Sequence, residues 1–167
     1  MGNADGSFEA FFAEAYASVF RGLAVAFRDP LLAEEAAQEA FTRAYTRWER
    51  VGSIERPAGW TFVAAVRVAR RRRRSLLGEV ASPVDAQDVA GDVVDRVTMQ
   101  AAIEELPTRQ RVALVLRHYA DLPLDEIARA MGCAVGTVKS TLHTAYTRLH
   151  VELEDDDEIP EVELDAP

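Results

Sequence analysis

Apolar residues recur at helical spacing through most of the chain, and no stretch alternates apolar and polar positions for long. Near the start, Phe8, Phe12, Ala15, Val19 and Leu23 share one face of a helix. The absence of a two-residue period predicts no sheet. The pattern therefore predicts an all-α protein whose first helix buries one apolar stripe.

A second helix is predicted after Asp29-Pro30, because proline suits the first turn of a helix. Its predicted apolar seam comprises Ala37, Phe41, Ala44 and Trp48. Gly, Ser and Pro between Arg50 and Gly59 predict a loop. A third helix is predicted from Trp60 into the run of five arginines at Arg70–Arg74.

The helical pattern is interrupted at residues 76–97, which contain Gly78, Pro83, Gly91 and four Asp, and resumes at Thr98. This composition is typical of a linker. A helix with Val112, Val115, Leu116 and Tyr119 is predicted after Pro107. We therefore predict two small helical domains joined by an acidic linker: an N-terminal helical bundle at residues 1–75 and a C-terminal domain at residues 98–151.

Two helices joined by a glycine are predicted near the C-terminus. Their inner faces comprise Leu124, Ile127, Ala128 and Met131, then Val138, Leu142, Ala145 and Leu149. Gly132 between them suits a tight turn that needs positive φ. This is the helix-turn-helix pattern, whose second helix can enter a DNA major groove. The candidate DNA contacts on that helix are Thr137, Lys139, Ser140, Thr141, His143, Thr144 and Arg148.

The net charge of −9 is unevenly distributed. Residues 1–80 carry 12 arginines and 10 acidic residues, whereas residues 152–167 carry nine acidic residues and no basic one. The two helical parts are thus slightly basic, which permits binding to nucleic acid. The acidic tail is predicted to be disordered. One hypothesis is that this acidic tail contacts Arg70–Arg74 and prevents them from binding DNA.

No catalytic, cofactor or metal site is predicted. The single Cys133 excludes an intrachain disulfide and a multi-cysteine zinc site. His118, His143 and His150 lack the spacing of a metal site, and no Gly-rich phosphate loop precedes a helix. Glu and Arg residues interrupt the apolar N-terminal stretch, so we expect neither a signal peptide nor a membrane partner. We expect a cytoplasmic location.

The segment from Leu106 to Leu142 contains Leu106-Pro107, Gln110-Arg111, Leu116-Arg117, Glu126-Ile127-Ala128 and Gly136-Thr137-Val138-Lys139-Ser140. Together these motifs resemble the C-terminal promoter-binding domain of extracytoplasmic-function sigma factors, the small members of the sigma-70 family. The resemblance implies that the second helix reads the −35 promoter element. It also implies that the domain docks on the flap of RNA polymerase.

The segment Ala33–Trp48 resembles the second conserved region of the same family. This resemblance implies that Glu35, Gln38 and Glu39 contact the clamp helices of the RNA polymerase core. The segment Glu55–Ser75 resembles the part that reads the −10 element. The resemblance implies that the loop before this helix captures an unstacked base, for which the candidates are Ser53 and Ile54. The candidate phosphate contacts are Arg67, Arg70, Arg71 and Arg74.

Some positions depart from the family pattern. Thr141 and Thr144 stand where the family often has Arg, and Pro123 and Ala134 stand where it commonly has Ser or Thr. Two other interpretations therefore stay open: a conventional helix-turn-helix regulator that binds an operator as a dimer, and a protein-interaction adaptor with a degenerate helix-turn-helix. The main expectation is a non-enzymatic sigma factor whose partners are RNA polymerase core and promoter DNA. An anti-sigma factor is a further candidate partner.

Overall fold

A computed structural model of the chain describes residues 7–77 and 99–153. The described residues form eight helices and contain no strand, so the prediction of an all-α fold is confirmed. The helices are α1 (Phe8–Phe27), α2 (Pro30–Tyr45), α3 (Trp48–Val51), α4 (Pro57–Leu77), α5 (Met99–Glu105), α6 (Thr108–His118), α7 (Leu124–Met131) and α8 (Val135–Leu153). Nearly all of the predicted linker and of the acidic tail lies outside the described residues.

A short turn between α1 and α2 sets the N-terminal helices side by side. Arg28 ends α1 in the left-handed conformation, with φ of 53°. Asp29 then caps α2, because its carboxylate accepts a hydrogen bond from the backbone N–H of Leu32 at 2.9 Å. Pro30 occupies the first turn of α2, as predicted. The turn lets the apolar faces of the two helices pack together.

The predicted seam of α2 is correct for Ala37, Phe41 and Ala44, which are buried, and wrong for Trp48. The helix ends at Tyr45, because Arg47 leaves the helical conformation with φ of −127° and its backbone N–H bonds to the carbonyl oxygen of Ala44, only three residues back, at 3.2 Å. Trp48 instead begins α3, and its ring stacks on that of Phe11 with centroids 4.9 Å apart.

The predicted boundaries of the following loop were also too wide. The segment between α3 and α4 comprises only residues 52–56, since α4 begins at Pro57 rather than Trp60. Pro57 fits the first helical position, and its carbonyl oxygen accepts from the buried hydroxyl of Thr61 at 2.9 Å. The loop that carries Ser53 and Ile54 is therefore short and held between two helices.

The helix-turn-helix is present as α7 and α8. Gly132 joins them with φ of 66°, the left-handed conformation that the sequence predicts there. The N–H of Cys133 bonds to the carbonyl oxygen of Ala128 at 3.0 Å and closes the turn. Tyr119, predicted within the preceding helix, lies one residue beyond the end of α6 and is exposed.

The two halves of the chain pack against each other through α1 with α6 and α4 with α7. A Cβ atom added at Gly22 of α1 would collide with the Phe62 ring of α4 and lie 3.0 Å from Val115 of α6. These three helices therefore approach closely at Gly22, and the described halves share one buried core. The division into two separately folding domains, with boundaries near residues 75 and 98, stays a prediction.

Helix α1 is long and apolar enough to cross a membrane by length and composition alone. It carries Glu9, Glu14 and Arg21, and it buries Val19 and Leu23 against other helices. These features fit a core helix of a globular fold.

Candidate promoter and polymerase interface

Most of the candidate DNA contacts on α8 form an exposed polar surface. Two adjacent rows at four-residue spacing, Lys139-His143 and Ser140-Thr144-Arg148, are exposed along the helix. Thr137 and Thr141 are half-buried at the edge of this surface. The inner face of the same helix is buried, as predicted, so α8 presents its polar rows away from the core.

The hydroxyl groups of α8 donate to their own helix. Those of Ser140 and Thr141 donate to the carbonyl oxygen of Thr137 at 3.0 and 2.7 Å. The hydroxyl of Thr144 donates to Ser140 at 2.9 Å. With their protons engaged, these side chains present oxygen lone pairs, which accept from the amino groups of cytosine or adenine. Lys139, in contrast, is an exposed cation near the start of the helix.

The two loop candidates, Ser53 and Ile54, are both exposed. The Ser53 hydroxyl donates to the carbonyl oxygen of Arg50 at 2.9 Å, which orders the loop next to α3. Ile54 exposes 37% of its surface, a large fraction for an aliphatic side chain. An apolar side chain beside a hydroxyl at a loop tip can contact both the face and the edge of an unstacked base.

The arginine run of α4 divides between different neighbours, and Arg71 and Arg72 turn toward α2. Arg72 donates to Glu35 at 2.7 Å and to Glu39 at 3.0 Å. Arg71 donates to the other carboxylate oxygen of Glu39 at 2.7 Å. The predicted polymerase-binding carboxylates thus also hold α2 to α4, a role that the sequence analysis did not assign to them.

The Glu39 carboxylate is the most strongly engaged group on this surface. Burial raises its pKa, but hydrogen bonds from Arg72 and Arg71 and the charge of Arg43 outweigh burial, so the pKa lies below its ordinary value. Gln38 is exposed, and its amide donates to Glu34 of the same helix at 3.3 Å. Gln38 thus bonds within α2, whereas Glu35 and Glu39 also bond to arginines of α4.

Arg67 and Arg70 contact the carboxyl end of α7, in the other half of the chain. Arg67 donates to the carbonyl oxygen of Arg129 at 3.3 Å, and Arg70 donates to those of Ala130 at 3.3 Å and Met131 at 2.9 Å. The last carbonyls of a helix lack helical donors and carry partial negative charge, which favours such contacts. Two candidate phosphate-binding side chains therefore bind the helix-turn-helix itself.

Arg67, Arg70, Arg71 and Arg74 share one face of α4, as their spacing requires. Arg109 of α6 and Arg129 of α7 join them around one cleft. Neither of these two residues could be predicted from the sequence, because nothing in the local pattern shows that the halves pack together. The described residues contain no cluster of His, Cys, Asp and Glu able to hold a metal ion.

Two family models match the chain. The model of sigma-70 region 2 matches residues 12–78, and that of sigma-70 region 4 matches residues 96–149. The RNA polymerase sigma-E factor of Streptomyces antibioticus is 35% identical over 133 residues, which cover 75% of this chain and 73% of that protein. This chain belongs to the sigma-70 family of RNA polymerase sigma factors. It is also 30% identical, over 76% of its length and 77% of the relative, to the extracytoplasmic-function sigma factor SigL of Mycobacterium tuberculosis.

The fold of this sigma factor resembles that of the sigma factor RpoE of Bartonella quintana, solved in complex with the anti-sigma factor NepR. The TM-score is 0.62 at 21% identity, with 90% of this chain and 98% of that chain covered. The predictions of family and of sigma factor function are confirmed, in preference to a conventional regulator or an adaptor. The assignments of individual residues to promoter and polymerase stay predictions.

Proposed function

We propose that this sigma factor binds RNA polymerase core through the exposed face of α2 and promoter DNA through α8, α4 and the loop at residues 52–56. The exposed polar face of α8 opposite its buried inner stripe is the observation that carries the proposal. The protein acts in the cytoplasm and catalyses no reaction itself. Its contribution is to recognise the promoter and to hold the separated strand while polymerase performs the chemistry.

At the −35 element, Lys139 and Arg148 supply the positive charges of α8, and both are exposed. Ser140 and Thr144 lie in the row beside Lys139 and present acceptor oxygens. Charged side chains fix position on the phosphates or read guanine, whereas acceptors discriminate among the remaining base edges. With only two cations on this surface, −35 binding by the isolated protein should be weak at physiological salt.

At the −10 element, Arg74 is exposed on α4 and available to phosphates, whereas Arg71 is exposed but pairs with Glu39. Arg67 and Arg70 reach DNA only after they release the carbonyl oxygens of α7. The packed arrangement described above is therefore the form of the free protein. Engagement of polymerase and promoter separates α4 from α7.

RNA polymerase core is the proposed partner of the α2 face, through Glu35, Gln38 and Glu39, and its flap is the proposed partner of the C-terminal half. An anti-sigma factor is a further proposed partner, supported by the complex in which the structurally similar Bartonella sigma factor was solved. Because promoter and polymerase surfaces lie on both halves, a partner that spans α4 and α7 would keep them together.

Run-off transcription with purified core polymerase tests the proposal. Core alone should give no specific transcript from a target promoter, and core with the full-length protein should give one of defined length. Full-length protein with alanine at both Lys139 and Arg148 is the matched control, and it should bind core normally but initiate poorly. A protein that binds promoter DNA but never supports initiation on any promoter tested would contradict the proposed contacts with core.

A further inference from the structure

A basic cleft lies between α4 and the end of α7, with a volume of about 610 Å³. Its polar lining is supplied by six arginines: Arg67, Arg70, Arg71, Arg74, Arg109 and Arg129. None of the lining residues is acidic. A concave site of this size falls within the range of about 300–1,000 Å³ that is usual for small-molecule sites.

The positive charge of this cleft is only partly compensated. Arg71 pairs with Glu39, and Arg129 pairs with Asp125 at 2.5 Å. Arg74, in contrast, has no ion pair with an acidic residue in the part of the chain that the structure describes. Several guanidinium groups are thus held together without enough carboxylates to neutralise them.

The pKa of Arg70 is lowered by burial and by this concentration of positive charge. Burial lowers its pKa, and the nearby charges of Arg74 and Arg109 lower it further. Arg70 donates hydrogen bonds to the carbonyl oxygens of Ala130 and Met131. It therefore adds positive electrostatic potential to the cleft rather than donors that a ligand could use. An anion placed among these groups would relieve their mutual repulsion.

The cleft depends on the packing of the two halves. Its first wall is the face of α4 that carries Arg70 and Arg74. Its second wall comes from the C-terminal half, where Arg109 belongs to α6 and Arg129 to α7. A ligand that contacts both walls would therefore bind only the packed arrangement.

We propose that this cleft is a binding site for a triphosphate group, either as the inorganic ion or as the phosphate chain of a nucleotide. Guanidinium groups bind phosphate oxygens in pairs, with charge assistance and matched planar geometry. A triphosphate concentrates several negative charges in one compact chain, and the guanidinium groups of Arg74, Arg109 and Arg129 line the same cleft. Promoter phosphates also neutralise arginines, but those of an extended backbone are spaced along a strand, whereas a triphosphate brings its charges together in one cleft.

The proposed ligand stabilises the packed arrangement, because it binds that form and not the separated one. It also competes with promoter DNA for Arg71 and Arg74. The competition rests on the proposed −10 contacts, whereas the binding of triphosphate does not. The two can therefore fail independently.

Isothermal titration of the full-length protein with inorganic triphosphate, without divalent cations, tests the binding. We expect one saturable site per chain and a rise in Tm with ligand concentration. A parallel titration uses ATP. A clearly higher affinity for ATP than for the inorganic ion would identify a nucleotide as the source of the triphosphate group. Citrate and sulfate at matched ionic strength are the anion controls, and both should bind at least tenfold more weakly.

The deciding variants are Arg109→Gln and Arg129→Gln, which lie outside the proposed promoter and polymerase contacts. Each should weaken triphosphate binding about tenfold, the loss of one charge-assisted contact. Arg47→Gln, which removes an equal charge from a residue that does not line the cleft, should leave affinity unchanged. The proposal is overturned if triphosphate shows no saturable binding, if citrate or sulfate binds equally well, or if both cleft variants bind like wild type.

Fluorescence anisotropy of labelled promoter DNA, titrated with the holoenzyme in the absence of nucleotides and divalent cations, then reports competition separately. Weaker promoter binding by wild type when inorganic triphosphate is added, with less weakening in Arg109→Gln, supports competition at the promoter-binding arginines. Unchanged promoter binding despite saturable triphosphate binding would overturn the −10 assignment of Arg71 and Arg74 and leave the triphosphate site standing.

Discussion

Arg111 of α6 donates a hydrogen bond from Nε to the carbonyl oxygen of Ala26 in α1, 3.0 Å away across the boundary between the two halves. Its side chain is 1% exposed. The same guanidinium also donates to the carbonyl oxygens of Glu104 at 3.1 Å and of Leu106. One buried cation thus joins the ends of three helices by satisfying carbonyl groups that a helix terminus leaves open.

Replacing Arg111 with Met should strongly destabilise the protein. The substitution leaves several buried carbonyl oxygens without a donor, and we expect the free energy of unfolding to fall by about 3 kcal/mol. Urea denaturation followed by circular dichroism measures the change. Arg21→Gln is the control, because Arg21 is exposed and bonds within α1, so its replacement should change stability by less than about 0.5 kcal/mol. Equal stability of the two variants would show that Arg111 is dispensable.

Gly22→Ala should destabilise the protein through overpacking. The added Cβ would collide with Phe62 and lie 3.0 Å from Val115, so we expect a cost of about 1–3 kcal/mol. The matched control is Gly136→Ala, where the added Cβ has no neighbour within 4 Å and alanine favours the helix. Thermal unfolding should show a lower Tm for the first variant and an equal or higher Tm for the second. The opposite order would mean that the helices do not pack at Gly22 as described.

Glu39→Gln should lower stability at neutral pH but not in acid. The folded-state pKa of Glu39 lies below its ordinary value of 4.5, so its stabilisation is present above pH 4.5 and is lost as pH falls through the folded-state pKa. Because the group is partly exposed to solvent, we expect at most about 1 kcal/mol at pH 7. Urea midpoints of wild type and variant should converge as the pH is lowered below the folded-state pKa of Glu39. Glu14→Gln, an exposed position on α1, should show no such pH-dependent difference.

Gln38→Ala gives a clean test of polymerase binding. Glu35 and Glu39 also pair with Arg72, so their replacement affects both stability and binding. Gln38 bonds to Glu34 within α2, and its truncation should change stability by less than about 0.5 kcal/mol. Affinity for core polymerase, measured by fluorescence anisotropy, should fall about tenfold, which corresponds to 1.4 kcal/mol. Wild-type affinity in this variant would remove Gln38 from the interface.

Lys139→Ala should reduce initiation that depends on the −35 element, since Lys139 is the only lysine in the chain and is exposed on α8. If Lys139 contacts a phosphate, the loss should be uniform across promoter variants, and the slope of log affinity against log salt should fall by about one. If it reads guanine, the loss should vary by about 1–3 kcal/mol with sequence. Lys139→Arg should retain most activity. A variant that initiates normally at every promoter would exclude a role for Lys139.

Periodicity was sufficient to predict the helices that form the frame of the structure. The buried stripe of α8, the positive φ of Gly132 and the burial of Ala15, Val19 and Leu23 in α1 all follow from local spacing and chain geometry. The prediction was wrong for Phe12, which is 39% exposed although its ring contacts that of Phe41. The position of Trp48 was predicted wrongly, because spacing alone does not reveal that the backbone leaves the helical conformation at Arg47 and ends α2 early. Element boundaries depend on such short-range choices, whereas the face of a long helix depends on many residues at once.

The candidate site was predictable only in part, for a different reason. The exposed rows of α8 could be derived from the sequence, since their position follows from the buried face opposite. The division of the arginine run could not, because it depends on which helices surround α4. Arg72 meets α2 and Arg70 meets the end of α7, and both contacts join residues more than 30 positions apart.

The last residues of α7 have two structural roles. It begins the turn that orients α8, and its carbonyl oxygens of Ala130 and Met131 hold Arg70. If Arg70 must leave those oxygens to contact DNA, then binding of the −10 element by α4 also changes the free energy of binding the −35 element by α8. The two promoter elements are then recognised cooperatively. Binding to a promoter with only one of the two elements would then have to offset the whole free energy of separating the halves, so the packed form would discriminate against partial promoters.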